Sequence, residues 1–290
     1  MPNSHIQTLR TMLREDKGVI LPGAPNALAA RIIADLGFRA VYLTGAGLTN
    51  MHLGLPDLGF MDLSLVADHV MAIRNVIDLP LIVDIDTGFG NAVNVAYVVP
   101  QYAAAGVAAV VIEDKTFPKD TSLRPGGRQE LVPIGEFQGK VAAAKAAGSM
   151  LVIARTEALI AGRGQEEALR RGAAYAEAGA DAVLIHSKEK APDEILAFCR
   201  AWPGRVPLVL VPTSYPQLAF ADIAALGKVG LIICGNHAIR AAVAAMQNVF
   251  RRILAEGGIA GAEKEIASVG DVFALQGDVR MREIEKAFLR

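Results

Sequence analysis

The chain has 290 residues and a formal net charge of −1 at pH 7; 52% of its residues are hydrophobic and 20% are charged. This balance predicts a large apolar core, and it lacks the basic surplus that attracts nucleic acids or anionic membranes, so neither is expected as a partner. No apolar run reaches the roughly 18 residues of a membrane span, and residues 1–17 do not resemble a signal peptide, which predicts a cytoplasmic protein.

Short apolar runs alternate with helix-like stretches along the whole chain. Several helix-like stretches end in A-G or L-G, with glycine just past the helix, where a left-handed backbone is favoured. Helices are predicted, for example, at Ala27–Leu36, Leu65–Val76, Glu166–Glu177 and Ile239–Ala255. The eight predicted strands are Val19–Pro22, Ala40–Thr44, Leu81–Asp84, Ala108–Glu113, Leu151–Arg155, Ala182–His186, Val206–Val211 and Leu231–Gly235.

Eight β/α units without a break predict a (β/α)8 barrel, a single domain over residues 1–290, in preference to a doubly wound sheet. Residues 237–290 are expected to form C-terminal helices that pack outside the barrel or on a partner chain. Catalytic groups of such barrels follow the carboxyl ends of the strands. Because polar residues follow six or more of the predicted strands, the pattern indicates an enzyme.

The turn after the second strand, T-G-A-G at Thr44–Gly47, consists of small residues. The backbone N–H groups of Thr44, Gly45 and Ala46 can therefore face an oxyanion. Without binding groups opposite, the segment is simply a turn. Asp57, in the following G-L-P-D, can bring a carboxylate to the same end of the barrel.

The third strand ends in the paired carboxylates of Asp84 and Asp86. Residues two apart on a strand face the same side, and two buried carboxylates need a compensating cation. Hard oxygen ligands suit Mg²⁺ or Mn²⁺. Glu113, after the fourth strand, completes a carboxylate cluster that can hold the ion. The alternatives are exposed loop aspartates and, for Glu113, a salt bridge at the barrel mouth.

Residues 115–128, K-T-F-P-K-D-T-S-L-R-P-G-G-R, form a long basic loop directly after Glu113. Loops of this length in compact domains are often lids over active sites. The alternative is a solvated basic loop. Its position at the mouth of the predicted barrel favours the lid.

Arg155 and His186 follow the fifth and sixth strands. The guanidinium of Arg155 is a planar, permanently charged fork that suits a carboxylate, phosphoryl or phosphonyl group. It can equally pair with Glu157 or Glu113. His186 can bind an anion or move a proton, or it can be a structural histidine.

Five motifs together resemble those of the isocitrate lyase/phosphoenolpyruvate mutase superfamily: D-I-D-T-G-F-G-N, E-D-K-x-F-P-K, I-A-R-x-E-A, H-S-K and V-P-T. The likeness runs through nearly the whole chain. It implies a (β/α)8 barrel whose eighth helix is exchanged with a neighbour, in a homotetramer that is a dimer of dimers. It also implies Mg²⁺, replaceable by Mn²⁺ or Co²⁺, held directly by Asp84 and largely through water by Asp57, Asp86 and Glu113.

The lid segment K-D-T-S-L, Lys119–Leu123, separates the branches of this superfamily. Its lyases carry K-(K/R)-C-G-H there, with a catalytic cysteine, whereas this segment has no Cys, Gly or His. Phosphoenolpyruvate mutases carry Asn at the position of Thr121. A threonine at this position is similar to the segment of the superfamily's hydrolytic branch. By this likeness Lys119 and Thr121 are catalytic, and Ser122 and Leu123 bind substrate. The segment Tyr42–Gly47 departs from the pattern, because Y-L-T-G-A-G is closer to the lyases' Y-L-S-G-A-G than to the Trp-containing segment of mutases and hydrolases.

The resemblance implies hydrolysis of the P–C bond of 3-phosphonopyruvate to pyruvate and phosphate through a Mg-stabilised enolate. Arg155 and His186 would hold the phosphonyl group, and Thr121 would be the nucleophile or would orient water. The proton that completes pyruvate could come from water, His186 or Lys119. The lyase-like segment leaves alternatives open: a 2-oxo-acid C–C lyase or decarboxylase such as an oxaloacetate decarboxylase, a phosphoenolpyruvate mutase, or a metabolite-binding barrel without catalysis.

Overall fold

The structure, a computed structural model, describes residues 2–290, and side chains from Ser4 onward. Eight parallel strands form a closed barrel in which each strand pairs with the next in the chain and β8 pairs with β1. This confirms the predicted (β/α)8 barrel. The strands are β1 Val19–Ala24, β2 Val41–Leu43, β3 Leu81–Asp84, β4 Ala109–Glu113, β5 Leu151–Thr156, β6 Ala182–Ile185, β7 Leu208–Leu210 and β8 Val229–Cys234.

Helices follow every strand, and one more precedes the first strand. They are α1 Pro2–Arg14, α2 Ala27–Asp35, α3 Gly45–Leu53, α4 Leu63–Arg74, α5 Ala92–Ala104, α6 Ile134–Ala146, α7 Gly164–Glu177, α8 Asp193–Ala201, α9 Phe220–Ala225, α10 His237–Glu256, α11 Val269–Gln276 and α12 Asp278–Phe288. Among these helices, none has the length and apolarity needed to cross a membrane.

The predicted strand bounds were wrong at several ends, for local physical reasons. Thr44 is not in β2, because its side chain accepts a hydrogen bond from Gly47 N and begins α3. The last strand starts two residues earlier than predicted, at Val229. Gly230 interrupts the apolar pattern there, and a Cβ at this position would lie 2.5 Å from Leu13 O.

The amino end of the barrel is closed by α1. Its side chains Ile6, Leu9, Met12 and Leu13 belong to the same buried cluster as the inward-facing residues of the strands. Leu21, Ile82 and Val111 are examples of these strand residues. With one end filled by apolar side chains, the opposite, carboxyl end is the one that can hold a polar site.

The chain divides into two compact units, one ending at His237 and the other running from Ala238 to Arg290. The second unit contains only helices in addition to a short 3₁₀ turn, and Asn248 of α10 donates a hydrogen bond to Glu265 in the connection to α11. The predicted single domain over 1–290 and the exchange of the eighth helix therefore stay predictions, and Met1 lies outside the described residues.

Candidate active site

A cavity of about 220 Å³ opens at the carboxyl ends of the strands. All the predicted site residues except Gly45 and Asp86 line it: Thr44, Ala46, Asp57, Asp84, Glu113, Lys119, Thr121, Ser122, Leu123, Arg155 and His186. The two exceptions lie directly beside it, since a Cβ at Gly45 would be 2.9 Å from Asp86 Oδ1. The fold thus brings together side chains from five strand ends and the lid.

The turn predicted to face an oxyanion is the start of α3. Thr44 caps this nine-residue helix, so Gly45 and Ala46 are its first residues. The N–H groups of a first helical turn have no partner within the helix, and the helix dipole gives them a positive potential. Thr44 and Ala46 both line the cavity. The observed geometry therefore suits an anionic group at this position.

The carboxylate cluster contains a buried lysine from the lid. The Nζ of Lys119 lies 2.7 Å from Asp57 Oδ2 and 2.5 Å from Asp86 Oδ1. Burial alone would lower the pKa of Lys119, but the charges of Asp86 and Asp57 outweigh it and hold the pKa well above its usual value. Asp84 accepts a hydrogen bond from Tyr42 Oη at 2.8 Å. The lid is thus anchored to the cluster by a charged lysine.

The carboxylate cluster carries more negative charge than the ammonium group of Lys119 can neutralise. Burial, together with the charges of Asp57 and Asp84, raises the pKa of Asp86 to about 8 although Lys119 is close. Two carboxylate oxygens, Asp57 Oδ1 and Glu113 Oε1, are buried without a hydrogen-bond partner. Unpaired oxygens and excess negative charge fit a divalent cation with a preference for oxygen.

The spacing of the cluster suits an ion that keeps water ligands. In the described part of the chain, no three His, Cys, Asp or Glu side chains are close enough to hold one ion together. Mg²⁺ typically binds one or two carboxylates and retains several waters. The donor set, which consists of carboxylate oxygens, therefore fits Mg²⁺ bound partly through water.

The loop that carries Asp84 and Asp86 is held in an uncommon conformation. Asp86 and Phe89 have positive φ angles of 53° and 58°, which non-glycine residues rarely adopt and which cost energy. The buried ammonium of Lys140 on α6 donates a hydrogen bond to Thr87 O at 2.9 Å. This contact from outside the barrel helps to fix the strained loop.

Arg155, near the carboxyl end of β5, is paired with protein carboxylates. Its Nε lies 2.7 Å from Glu157 Oε1 and 3.5 Å from Glu113 Oε2. Burial alone would raise the pKa of Glu157, but Arg155 and Lys115 hold it well below its usual value. The predicted pairing of Arg155 is therefore observed, and the side chain lines the cavity as well.

His186 lies between this ion pair and the cavity. Its Nδ1 is 3.6 Å from Glu157 Oε1 and 3.5 Å from Arg155 Nη2, and its Nε2 is buried without a partner. Burial lowers the pKa of the ring below its usual value, which favours the neutral form of His186. A buried nitrogen without a partner, on a residue that lines the cavity, suits contact with a ligand.

The hydroxyl of Ser122 in the lid is fully used by the protein. It donates to Glu157 Oε2 at 2.5 Å and accepts from Lys115 Nζ at 2.8 Å and Arg155 Nη2 at 2.9 Å. A serine hydroxyl has one donor and two acceptor positions. The Ser122 hydroxyl therefore has no hydrogen-bonding position left for a substrate in this arrangement.

Two residues that line the cavity had no individual role in the sequence prediction. Tyr42 entered only through an apolar strand and the lyase-like segment Tyr42–Gly47, and Lys115 only as the first residue of the lid. The motif E-D-K did hold a signal for Lys115, because a lysine directly after a buried strand and beside two carboxylates needs a specific partner. Asn50, Thr213 and Asn236 also line the cavity.

Asp114 directly follows β4 but points away from the cavity. Its carboxylate accepts hydrogen bonds from Tyr175 Oη at 2.7 Å and from Arg171 Nη1 at 3.1 Å, both on α7. Because side chains alternate along a strand, Glu113 faces the barrel interior and Asp114 faces the helix layer. Ser187, which follows β6, likewise turns to Glu194 of α8.

The chain is similar over most of its length to known proteins. The profile of the family described as phosphoenolpyruvate phosphomutase matches residues 9–254. A curated phosphonopyruvate hydrolase from Variovorax sp. (strain Pal2) is 56% identical over 98% of this chain and 99% of its own length.

Two crystal structures resemble the fold over nearly its whole length. One is a phosphonopyruvate hydrolase in complex with oxalate and Mg²⁺, with a TM-score of 0.91, 54% identity and 99% coverage of both chains. The other is a phosphoenolpyruvate phosphomutase from Streptomyces platensis subsp. rosaceus, with a TM-score of 0.94 and 41% identity over 98% of this chain and 99% of that chain.

Proposed function

Because this chain belongs to the phosphoenolpyruvate phosphomutase family, as its motifs predicted, we propose that it is a Mg²⁺-dependent phosphonopyruvate hydrolase. It hydrolyses the P–C bond of 3-phosphonopyruvate and releases pyruvate and phosphate. The observation that carries this proposal is the lid segment at the cavity, where Thr121 stands in place of the lyase cysteine and the mutase asparagine. The high identity to a hydrolase over almost the full length supports the same choice.

The reaction requires one bond to form and one to break. An oxygen atom from water forms a bond to phosphorus while the P–C bond breaks. The electron pair of the P–C bond stays on carbon and gives the enolate of pyruvate. A proton then adds to that carbon and gives pyruvate. Thr121 either attacks phosphorus first, with water subsequently cleaving the phosphothreonine, or orients the attacking water.

The carboxylate cluster would hold the cofactor. Asp84 would bind Mg²⁺ directly, and Asp57, Asp86 and Glu113 would bind it through water. The ion supplies positive charge beside the carboxylate and keto oxygens, which stabilises the developing enolate. The N–H groups of Gly45 and Ala46 at the start of α3 add hydrogen bonds to the same negative charge.

The phosphonyl group would lie on the opposite side, against Arg155 and His186. Arg155 brings a fixed positive charge that offsets the phosphonyl charge. With its hydrogen on Nε2, which has no protein partner, His186 would donate to a phosphonyl oxygen while Nδ1 accepts from Arg155 Nη2. Lys119 would hold the closed lid against the carboxylate cluster and add positive charge there, through Asp57 and Asp86. The substrate is thus held at both ends while the bond between them breaks.

Arg155→Lys is expected to lower kcat/KM on the order of 10²-fold or more, because a lysine keeps the charge but loses the planar fork. A single ammonium also cannot reproduce the contacts that Arg155 makes with both Glu157 and Ser122. Arg171→Lys is a matched control, since Arg171 is a buried arginine that pairs with Asp114 outside the barrel. Equal effects of the two substitutions would contradict the assigned role of Arg155.

A second candidate function rests on the segment Tyr42–Gly47. Tyr42 places a hydroxyl on Asp84 at the end of the cavity where the keto acid would bind. The lyase-like sequence of this segment favours a substrate such as oxaloacetate, whose decarboxylation passes through the same enolate and needs no lid acid.

We also propose that the protein acts as a homotetramer, a dimer of dimers in which the eighth helix, α10, is exchanged between subunits. The exposed side chains of Val243, Met246, Phe250 and Leu254 support this, because they form an apolar strip along α10 that a partner chain would cover. The cytoplasmic location stays a prediction.

The direct test of the function is product analysis. The protein is incubated with phosphonopyruvate and Mg²⁺, and pyruvate and phosphate are both measured. Equal amounts of the two products are expected. Accumulation of phosphoenolpyruvate without phosphate would instead identify a mutase.

A further inference from the structure

Lys115 is a buried cation for which the proposed reaction has no use. It lies where the lid leaves β4, and its side chain is 1% exposed. Its ammonium donates to Asp120 O at 2.7 Å and to Ser122 Oγ at 2.8 Å, and it lies 3.1 Å from Glu157 Oε2. An ammonium has three donors, and all three are used by the protein. Lys115 therefore has no donor left for a substrate.

Lys115 contacts the residues on both sides of Thr121, the proposed catalytic threonine. Asp120 and Ser122 are the two sequence neighbours of Thr121, so a single ammonium fixes the backbone on one side of Thr121 and the side chain on the other. Gln129 adds a hydrogen bond from Nε2 to Thr121 O at 3.0 Å. These contacts restrict the position of the Thr121 side chain, which itself lines the cavity.

Glu157 connects this part of the lid to the phosphonyl side of the cavity. Its side chain has no exposed surface. One oxygen is bound by Ser122 and Lys115, and the other lies 2.7 Å from Arg155 Nε and 3.6 Å from His186 Nδ1. One carboxylate thus fixes the lid relative to both groups that would hold the phosphonyl oxygens.

We propose that Lys115 and Glu157 are positioning residues that hold the hydroxyl of Thr121 in line with a phosphonyl group on Arg155 and His186. This inference rests on the function proposed above. Neither residue touches the substrate, and both act through the lid residues 120–122. A nucleophile displaced by about 1 Å can lose on the order of 10²-fold in rate, which is the scale on which such positioning acts.

Lys115→Met is the variant that tests this role, because it removes the ammonium and keeps a side chain of similar length. Glu157 stays paired with Arg155 in this variant, so no buried charge is left alone. We expect kcat to fall by on the order of 10–100-fold while KM changes by less than about threefold, because the groups that bind the substrate remain. Ser122→Ala interrupts the same link without touching a charge and is expected to lower kcat in the same way.

The decisive measurement is the effect of Lys115→Met in a Thr121→Ala background. If Lys115 acts by positioning the hydroxyl, its removal should cost less than about threefold further in kcat once the hydroxyl is gone. A purely structural role would give the full loss in both backgrounds, and this result would overturn the proposal. Wild-type kcat in both Lys115→Met and Ser122→Ala would also overturn it.

A second readout does not depend on the reaction. Arg124 and Arg128 of the lid have side chains that are 52% and 63% exposed. Arg124 precedes Pro125 and is no trypsin site, so the readout is the cut after Arg128, which should be faster in Lys115→Met than in wild type because the lid has lost an anchor. Lys145→Met is the matched control, since it removes an ion pair with Asp181 at the opposite end of the barrel. If Lys115→Met is cleaved faster but the wild-type protein does not turn over phosphonopyruvate, the proposed function is refuted and the role of Lys115 as an anchor of the lid stands. Unchanged cleavage of Lys115→Met would refute that anchoring role.

Discussion

Asp84→Ala is expected to abolish turnover at every Mg²⁺ concentration. Asp84 is the proposed direct ligand, and without it the charge that stabilises the enolate has no fixed position. Asp86→Ala should lose less, on the order of 10–100-fold in kcat, because Asp86 acts through water and through Lys119. The measurement is kcat for both variants over a range of Mg²⁺ concentrations.

The contrast between the two aspartates is the informative part of this experiment. Both are buried beside the same lysine, so general damage to the cluster would affect them similarly. Thermal unfolding of each variant serves as the control for folding. Restored activity of Asp84→Ala at high Mg²⁺, or full activity of the wild-type protein in EDTA, would contradict the assignment of the metal site.

Thr121→Ala is expected to lower kcat by at least about 10²-fold, the usual scale for the loss of a positioned catalytic group. A hydroxyl at this position can deliver or align a nucleophile toward phosphorus, and a methyl group cannot. KM should change much less, because Arg155, the α3 amides and Mg²⁺ still bind the substrate. Steady-state kinetics on phosphonopyruvate separate the two parameters.

Thr121→Ser is the matched variant, since it keeps the hydroxyl and removes only a methyl group. It should retain far more activity than Thr121→Ala. If Thr121 only helped the lid to close, the serine and alanine variants would be similarly impaired, and mainly in KM. Wild-type kcat in Thr121→Ala would contradict the catalytic role of Thr121.

Much of the site was predictable because it lies at strand ends. An apolar run followed by a polar residue marks the point where a buried strand reaches the mouth of the barrel. Asp84, Arg155 and His186 were found in this way, and closure of the barrel brings their side chains into one cavity. The spacing of Asp84 and Asp86 also predicted a charge cluster, which is observed.

The direction of individual side chains was not predictable to the same extent. Glu113 and Asp114 are adjacent carboxylates after the same strand, and only the observed register shows which one faces inward. The pairing of Lys115 with Glu157 joins residues 42 positions apart, and the sequence carries no local signal for it. The saturation of the Ser122 hydroxyl depends on two further long-range contacts, with Glu157 and Arg155, and on one contact with Lys115 in the same loop.

The central claim is that this barrel cleaves a P–C bond with a metal-stabilised enolate. The measurement that tests it most directly compares initial rates of phosphate release from phosphonopyruvate and of pyruvate release from oxaloacetate, each with Mg²⁺ and with EDTA. We expect phosphonopyruvate to have the higher kcat/KM, phosphate and pyruvate to appear in equal amounts, and the activity to be lost in EDTA. A preference for oxaloacetate, or phosphate release that EDTA does not affect, would contradict the claim.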